Sequence, residues 1–335
     1  MKVTIKDVAR EANVATSTVS RVLSDNPRIS EETKIRVNEA IKRLNYKPNP
    51  IARSLAKNQT RILGVVLPNE ADDLLSNPFF VNAMKGMSMY AQSKNYYITY
   101  AFSKNEENEL ENIKEMTQSH LVDGIIMLRV KENDESIEYL KDSKFPFVVI
   151  GRPEHPDEIL WVDNNNFQAM YKVVNKLIQK GHKRIGFVGA IKNLNMSKDR
   201  YKGYEKALEV NGISLDQSIV VYKDEFKETE GESGCRELLK NEDITAIIAT
   251  DDLLAFGVLK ELRANKIKNI ATVGFNNTQL AQYQKPPLAS VDINADKLGY
   301  KAAKLLIETL EENDKTNSNR HYIVNTEFIE RESFM

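Results

Sequence analysis

Residues 4–23 read TIKDVAREANVATSTVSRVL and show two short helical patterns separated by a turn. Thr4 followed three residues later by Asp7, directly before apolar residues, is typical of a helix N-terminus. The apolar residues from 8 to 12 recur at helical spacing, and residues 13–15 predict a tight turn into a second helix. We therefore expect two helices joined by a short turn in this segment.

The second helix has one polar and one apolar face. At about 100° per residue, the polar arc holds Thr16, Ser17, Ser20 and Arg21. The opposite arc holds Thr18, Val19, Val22 and Leu23. Short hydroxyls and a guanidinium on an outward face are typical of the recognition helix of a helix-turn-helix. Periodicity alone does not distinguish this from an ordinary amphipathic helix pair with a solvated face.

The charge distribution favours the DNA-binding interpretation. Residues 1–60 contain 12 Lys+Arg and 6 Asp+Glu, a net charge of +6, whereas the whole chain has a net charge of −1. Residues 61–335 therefore have a net charge of −7. A basic head followed by an acidic body is typical of a nucleic-acid-binding module attached to a larger folded domain.

Three motifs in the first 50 residues resemble a known family. TIKDVA at 4–9, TVSRVL at 18–23 and LNYKPN at 44–49 closely resemble the DNA-binding head of the lactose-repressor/galactose-repressor family of bacterial regulators. The similarity continues to the C-terminus of the chain. One departure is Ala15, where the family usually has a serine that caps the recognition helix. Loss of such a cap costs about 1 kcal/mol.

The polar face and the resemblance together predict two sets of DNA-contacting residues. The set expected over base edges in the major groove is Thr16, Ser17 and Arg21. The set expected to hold phosphates is Thr4, Ser20 and Asn49.

A third helix is predicted from about Ser30 to Leu44, with Ser30 as its N-cap. Its predicted core stripe is Ile35, Val37, Ile41 and Leu44. Pro48 and Pro50 then prevent the helix from continuing.

Residues 51–58 are helical by composition but too short to be stable alone in water, so a plain linker is one interpretation. The resemblance implies instead a hinge helix that orders when two copies meet in the DNA minor groove. Ala52 would then allow the two helices to approach closely, and Leu55 would act as an apolar wedge that kinks the duplex. Arg53 and Asn49 would contact phosphate or sugar.

Length and composition limit the class of protein. The 335 residues allow two or three domains with a sizeable core. No apolar run approaches the ~20 residues that a membrane span needs, and the N-terminus lacks the pattern of a signal peptide. Cys235 is the only cysteine, which excludes an internal disulfide. We therefore expect a cytoplasmic protein with no membrane partner.

From residue 61 onward, short apolar runs alternate with helical patterns, which predicts parallel sheets in two doubly wound units. The predicted strands are 62–67, 97–101, 124–128, 147–150, 185–188, 246–249 and 270–273. The predicted helices between them are 80–93, 107–119, 166–180, 200–211, 231–241 and 253–265. The expected fold class is an all-α helix-turn-helix head with a hinge helix, followed by an α/β body of two doubly wound parallel-sheet subdomains.

The resemblance implies that these subdomains are similar halves joined by three crossing segments, as in periplasmic sugar-binding proteins of type I. The expected domains are a helix-turn-helix at 1–47, a hinge at 48–60 and an effector-binding and dimerisation domain at 61–335. Within the last, one half is expected at about 61–161 and 292–321, and the other at about 162–291 and 322–335.

Ligands of open α/β sheets bind beyond the carboxyl ends of the strands, and the residues there are rich in Asp, Asn and Arg. With an aromatic face at Phe79 and Phe80, such planar polar groups suit a polyhydroxylated ligand. The predicted effector-binding residues are Phe79, Arg129, Arg152, Asp163, Arg200, Asp251 and Asn276. Among them Arg200, Asp251 and Asn276 match effector contacts of the family by motif.

Several assignments stay open. The family commonly has aspartate where this chain has Asn276, so a charge is missing at that position. Arg129 and Arg152 are suited either to clamp a phosphate or to bond sugar hydroxyls. Asp252 is expected to cap a helix and not to contact ligand, whereas Asn164 and Asn165 fit either role.

No pattern of a catalytic site is present. None of the four histidines has a metal-ligand partner at HxxxH or CxxC spacing. Gly-rich phosphate loops and a Gly-x-Ser-x-Gly elbow are missing, and Cys235 falls within a predicted helix. We expect a protein that binds and does not catalyse, without a metal or cofactor.

The sequence therefore predicts a homodimeric repressor of sugar-utilisation genes that binds double-stranded operator DNA and is controlled by a small carbohydrate. Around residues 128–129, 150–153, 275–277 and 286–292 the chain most resembles repressors of maltose or maltodextrin utilisation. The alternatives are a regulator of the same family controlled by a phosphocarrier protein or by a non-sugar molecule. An extracytoplasmic sugar-binding protein would need a signal peptide and no basic head, and an enzyme with a regulatory head would show turnover.

Overall fold

The computed structural model describes residues 3–24, 26–47, 59–68, 77–241, 243–311 and 320–335. The chain divides into two compact units, Met1–Thr60 and Arg61–Met335. No helix in the described ranges is long and apolar enough to cross a bilayer.

The first unit contains three helices, α1 (Ile5–Glu11), α2 (Thr16–Leu23) and α3 (Glu31–Arg43). The main-chain N–H of Thr4 donates to Asp7 Oδ2 at 2.9 Å, and its hydroxyl donates to the same oxygen at 2.7 Å. These hydrogen bonds hold the pKa of Asp7 below its usual value and satisfy the helix start. Inside, Val8, Val19 and Val37 are fully buried, one from each helix.

The prediction for the inner stripe of α3 was wrong at Ile35, which is 57% exposed. Val37 and Ala40 are buried, and Ile41 and Leu44 pack against them. Ile35 lies two residues before Val37, a rotation of about 200° around the helix. It therefore points away from the stripe that positions 37, 40, 41 and 44 form.

The second unit contains two six-stranded sheets. The strands of the first sheet are β1 (Ile62–Pro68), β2 (Tyr97–Ser103), β3 (Gly124–Met127), β4 (Phe147–Ile150), β5 (Leu160–Asn164) and β11 (His321–Val324). Their order is β11-β5-β4-β3-β1-β2, and every neighbouring pair is parallel. The helices of this half are α4 (Pro78–Ser93), α5 (Glu106–Gln118), α6 (Glu135–Asp142) and α11 (Ala295–Glu311).

The second sheet repeats this arrangement. Its strands are β6 (Ile185–Ala190), β7 (Val220–Lys223), β8 (Ala246–Ala249), β9 (Ala271–Phe275), β10 (Ala289–Asp292) and β12 (Glu327–Ile329). Their order is β12-β10-β9-β8-β6-β7, with only β12 antiparallel to its neighbour. The helices are α7 (Asn166–Gln179), α8 (Asn195–Val210), α9 (Glu228–Leu238) and α10 (Asp252–Ala264), with 3₁₀ turns at Gln217–Ile219 and Gln279–Tyr283. The predicted fold class is confirmed for the helix-turn-helix head and for the two parallel-sheet subdomains, whereas the predicted hinge helix lies outside the described residues.

The chain passes between the two halves three times, after β5, β10 and β11. Asn164 ties these crossings together, because its amide nitrogen donates to the carbonyls of Ile293 at 3.0 Å and Val324 at 2.8 Å. In each half the strands nearest the crossings lie at the same end of the sheet order. The three crossings therefore lie together along one edge of the cleft, where they connect the two halves.

Glycines allow the main chains of α4 and α11 to touch. A Cβ atom on Gly86 would lie 1.8 Å from the carbonyl oxygen of Asp296, and one on Gly299 would lie 2.0 Å from that of Ala83. Any larger residue at these positions forces the two helices apart. This close contact fixes α4, and with it the residues at its N-terminus, on the first half.

Candidate functional site

The recognition face predicted for α2 is exposed. Thr16, Ser17, Ser20 and Arg21 are all exposed, whereas Val19 and Val22 are buried against the rest of the head. Thr4 is exposed at the start of α1. Ala15 caps α2 without a side-chain hydrogen bond, as the missing serine implied. The predicted contacts Asn49, Ala52, Arg53 and Leu55 lie outside the described residues.

Asn13 sets the turn between α1 and α2. Its φ of 50° lies in the left-handed region, which asparagine tolerates better than most residues. The following N–H, of Val14, donates to the carbonyl of Ala9 at 2.9 Å and closes the end of α1. This turn allows α2 to pack one face on α1 and leave the other free.

A cavity of about 560 Å³ lies between the two halves of the second unit, beyond the carboxyl ends of both sheets. Six of the seven predicted effector residues line it: Phe79, Arg129, Asp163, Arg200, Asp251 and Asn276. Arg152 does not. Its side chain is exposed, with the guanidinium carbon 6.0 Å from the ring centroid of Trp161, while its main-chain N–H donates to Asp163 at 2.9 Å.

Arg200 lies at the centre of the polar side of the cavity and is fully buried. Its Nε donates to Asn166 Oδ1 at 2.9 Å, its Nη1 donates to the carbonyl of Thr250, and its guanidinium carbon lies 4.4 Å from the ring centroid of Phe275. Burial lowers the pKa of Arg200 to about 10, although nearby carboxylates oppose that shift. Arg200 therefore stays charged at neutral pH and is held rigidly.

Two carboxyl groups flank Arg200. Asp163 accepts from the N–H groups of Arg152 and Asn164 and from the amide of Asn166. Asp251 accepts from the N–H of Leu253 at 2.7 Å and from the amide of Asn276 at 2.7 Å. Burial raises the pKa of both carboxyl groups to about 6, against the opposing effects of these hydrogen bonds and of Arg200. Both are therefore poised to titrate just below neutral pH.

The cap assignment for α10 was wrong by one residue. Asp251 is the N-cap, and Asp252 instead accepts from the hydroxyl of Ser290 at 2.6 Å and from the N–H of Thr278 at 2.7 Å. Asp252 is fully buried away from the cavity lining. For the two asparagines left open, Asn165 caps α7, whereas Asn164 lines the cavity and binds the crossings.

Arg129 enters the cavity from the first half and is already paired. Its Nη2 donates to Glu109 Oε2 at 2.9 Å, and the Glu109 side chain is only 4% exposed. The next cation along the chain, Lys131, is paired with Glu106 at 2.5 Å. The positive charges that the first half brings near the cavity are thus balanced by carboxylates of α5.

Sequence reasoning missed part of the lining. The loop after β7, residues 224–228, contributes Phe226 and four charged residues, and it was missed because β7 itself was not predicted. Asn77 and Asn166 also line the cavity, Asn77 as the cap of α4 and Asn166 as the partner of Arg200. The only available signal for this loop was the short apolar run Val220-Val221-Tyr222.

The lining combines polar groups at the strand ends with aromatic rings. Phe79 and Phe80 form an edge-to-face pair with centroids 5.1 Å apart, and both are half-buried, as is Phe226 from the other half. Exposed ring faces beside planar hydrogen-bonding groups are suited to stack on and bond a polyhydroxylated ring. Within the described ranges, no group of three or more His, Cys, Asp or Glu residues is arranged to hold a metal ion.

Comparisons with known proteins match segments in both units of the chain. Residues 4–49 match the model of the bacterial regulatory proteins of the lacI family, and residues 174–334 match that of a periplasmic binding protein-like domain. The chain is 38% identical over 318 residues to the HTH-type transcriptional regulator MalR of Streptococcus pneumoniae serotype 4, covering 93% of this chain and 94% of that protein. It is 35% identical over 339 residues to MalR of Staphylococcus xylosus, covering 99% and 98%.

Among solved structures, a complex of the transcriptional regulator CelR with cellobiose matches with a TM-score of 0.76 and 27% identity, covering 99% of this chain and 100% of that one. The sequence relatives are named transcriptional regulators, which confirms the prediction of a binding protein and not an enzyme. From the match of its head, the fold of its body and its identity to these regulators, the chain belongs to the lacI family of bacterial regulatory proteins and is a DNA-binding transcriptional repressor similar to MalR.

Proposed function

We propose that the chain represses sugar-utilisation genes as a homodimer and that a neutral oligosaccharide, maltose or a maltodextrin, controls its DNA binding. The observation that supports this most directly is the cavity lining, in which buried and already paired charges lie beside aromatic rings. The proposal keeps the division into a head at 1–47, a hinge at 48–60 and a body at 61–335.

The charge of the lining favours a neutral ligand over a phosphorylated one. The acidic lining residues are Asp163, Asp224, Glu225, Glu228 and Asp251. The basic ones are Arg129, Arg200 and Lys227. Arg129 and Arg200 are held by partners of their own, and Arg152 lies outside the lining. A phosphate would therefore enter a site with an excess of negative charge, so the phosphate-clamp interpretation of the arginines is not favoured.

The extent of the cavity favours more than one sugar unit. Its volume of about 560 Å³ falls in the range of about 300–1,000 Å³ typical of small-molecule sites. Arg129 follows β3 and Asp163 ends β5, with β4 between them. Two strand spacings correspond to about 10 Å, which is longer than one pyranose ring. The two similar regulators named MalR and the cellobiose complex of CelR support a disaccharide or longer ligand.

In the DNA-binding role, the exposed face of α2 would enter a major-groove half-site. Thr16, Ser17 and Arg21 would lie over base edges, where a two-pronged contact of Arg21 to guanine contributes about 1–3 kcal/mol of discrimination. Phosphate contacts would come from Thr4, Ser20 and Asn49. At the centre of a near-palindromic operator, Ala52, Arg53 and Leu55 of two hinges would pack together and open the minor groove.

Sugar binding would act on DNA binding by changing the angle between the two halves and thereby the packing of the paired hinges. A coupling free energy of about 1–3 kcal/mol changes affinity by about 5–150-fold. The family alternatives are control by a phosphocarrier protein or by a non-sugar molecule. They differ from this proposal in one measurable respect, because neither requires free maltose or maltotriose to bind.

The test is calorimetry with glucose, maltose, maltotriose and glucose 6-phosphate, together with operator binding at several salt concentrations. Arg21→Ala should weaken operator binding at least about tenfold and leave maltose binding unchanged. Phe79→Ala should weaken maltose binding and leave operator binding unchanged, because it removes a ring from the cavity without breaking the hydrogen bonds of Arg200. If only the phosphorylated sugar bound, or if both variants impaired both activities alike, the proposal would fail.

A further inference from the structure

The two halves are also joined by main-chain hydrogen bonds at a second place, apart from the crossings. Residues 131 and 194 form an antiparallel bridge. The N–H of Asn195 donates to the carbonyl of Val130 at 3.2 Å, and the N–H of Glu132 donates to the carbonyl of Asn193 at 3.3 Å. The loop after β3 in the first half is thus paired with the loop after β6 in the second.

Two side-chain contacts reinforce the bridge. The amide of Asn195 donates to the carbonyl of Arg152 at 3.0 Å, so Asn195 bonds two loops of the first half at once. Lys198, one turn further along α8, forms an ion pair with Glu132 at 2.6 Å. At the centre of the contact, Val130 and Leu194 are only 5% and 6% exposed although both stand on loops. The contact is therefore packed as well as hydrogen-bonded.

This contact lies away from the crossings in the strand order of both sheets. The crossings follow β5, β10 and β11 at one end of the two sheets, whereas the bridge joins the ends of β3 and β6. Between β5 and β3 lies β4, so the bridge is about 10 Å from the first crossing. The cavity residues Gly151, Asp251 and Asn276 follow the intervening strands β4, β8 and β9. Part of the cavity thus lies between the crossings and the bridge, while Phe79 after β1 and residues 224–228 after β7 line it beyond the bridge.

The bridge also belongs to the cavity wall. Val130 and Leu194 line the cavity, and Asn195 is the first residue of α8, the helix that places Arg200 in the site. Opening the halves breaks these bonds and moves α8 away from the first half. A ligand that contacts both halves is bound fully only when they are joined.

We propose that residues 130–132 and 193–198 form a clasp that stabilises the joined arrangement of the two halves, with Asn195 as a positioning residue for α8. Because the clasp stabilises the joined arrangement, less of the binding free energy of a ligand that contacts both halves is used to close them. Loss of the clasp weakens effector affinity and speeds effector release. Only this effect on effector binding rests on the proposed function; the clasp itself does not.

The first test needs no ligand and uses hydrogen exchange of the amides of Glu132 and Asn195 in the full-length effector-free protein. We expect both to be protected and to exchange faster in Asn195→Ala and Lys198→Met, by about twofold to tenfold for the loss of one ordinary hydrogen bond or ion pair. Lys206→Met is the matched control, since Lys206 forms its ion pair with Glu209 on the same helix and not with the first half. Exchange of both amides at the rate of exposed loops in the wild type, or equal rates in all variants, would overturn the proposal.

The second test measures maltose and maltotriose affinity and dissociation rate. Asn195→Ala and Lys198→Met should bind about twofold to tenfold more weakly with faster release, while Lys206→Met matches the wild type. The charge exchange Glu132→Lys with Lys198→Glu should restore affinity lost in Lys198→Glu alone. Unchanged affinity in the clasp variants would overturn the effect on effector binding. Absence of sugar binding in every protein would refute the proposed effector and leave the exchange test to decide on the clasp.

Discussion

Replacing Arg200 by Met removes the single guanidinium that lies among the buried carboxyl groups Asp163, Asp251 and Asp252. All three oppose the lowering of the Arg200 pKa by burial. In the other direction, Arg200 lowers the pKa of Asp163 and of Asp251. Burial already raises the pKa of Asp163 and Asp251 to about 6 and that of Asp252 to about 7. Without Arg200 the pKa values of Asp163 and Asp251 rise further, because the desolvation remains and the compensating charge is gone.

The sign of the pH effect follows from linkage. Each carboxyl group binds protons more tightly in the folded than in the unfolded chain, so its contribution to stability is present at low pH and is lost as pH rises through the folded pKa. In Arg200→Met this loss extends to higher pH. At pH 5 the cost should be that of the lost hydrogen bonds to Asn166 and Thr250, about 1–3 kcal/mol. At pH 8 it should reach about 3–5 kcal/mol, as for a buried charge left without its partner.

Urea unfolding at the two pH values measures this difference. Trp161 is the only tryptophan and is buried in β5, so its fluorescence reports the unfolding of the second unit alone. Arg184→Met is the control, because Arg184 pairs with Asp216 and Asp243 at the surface. The hydrogen bond from Arg184 lowers the pKa of Asp216 to about 2, so that pair is charged throughout and the control should change little between pH 5 and pH 8.

A cost of Arg200→Met that is equal at pH 5 and pH 8 would refute the electrostatic reasoning. It would mean that Arg200 stabilises the cavity by packing on Phe275 and by hydrogen bonding alone. A second comparison uses a variant in which Asp163, Asp251 and Asp252 are replaced by Asn. If the wild type did not lose stability relative to this variant between pH 5 and pH 8, the same conclusion would follow.

Two further predictions concern the cavity and its support. As pH falls from 7 to 5, Asp163 and Asp251 take up protons and lose acceptor capacity for sugar hydroxyls, so maltose affinity should fall by up to about tenfold per pH unit for each coupled proton. Calorimetry in two buffers at pH 6 should show that maltose binding releases protons. A maltose affinity that did not change between pH 7 and pH 5 would contradict this prediction. Gly86→Ala places a Cβ 1.8 Å from the carbonyl oxygen of Asp296 and should destabilise the second unit by about 1–3 kcal/mol in urea unfolding. Gln92→Ala, exposed on the same helix, is its control, and equal stability of the two variants would show that α4 and α11 separate freely.

The uninterrupted apolar runs made the fold class predictable, because a doubly wound unit needs only a few clearly buried strands alternating with helices. The strands that were missed are short or polar at one end, as in Leu160–Asn164 and Val220–Lys223, or lie at the far C-terminal end, as in Glu327–Ile329. A run of three to five residues is a strand only because a neighbour pairs with it. That information is in the register between distant segments and not in the local pattern.

The site was predictable where a side chain follows a recognisable strand. Asp251, which follows β8, was placed correctly in the cavity, but its role as the helix cap was assigned to Asp252, because helix boundaries are uncertain by a residue or two. Arg152 follows β4 as Arg129 follows β3, yet only Arg129 reaches the cavity. Sequence adjacency gives the position of a main chain at a strand end and leaves the direction of the side chain undetermined.

The polar side of the cavity is also the connection between the halves. The N–H of Arg152, in the first half, donates to Asp163; the amide of Asn166, in the second, donates to the other oxygen of the same carboxylate. Asn166 in turn accepts from Arg200, which donates to the carbonyl of Thr250 after β8. A ligand hydroxyl that bonds Asp163 or Arg200 must compete with these contacts. Binding of the proposed effector would therefore be coupled to the angle between the halves through shared atoms, without a separate relay between the cavity and the three crossings.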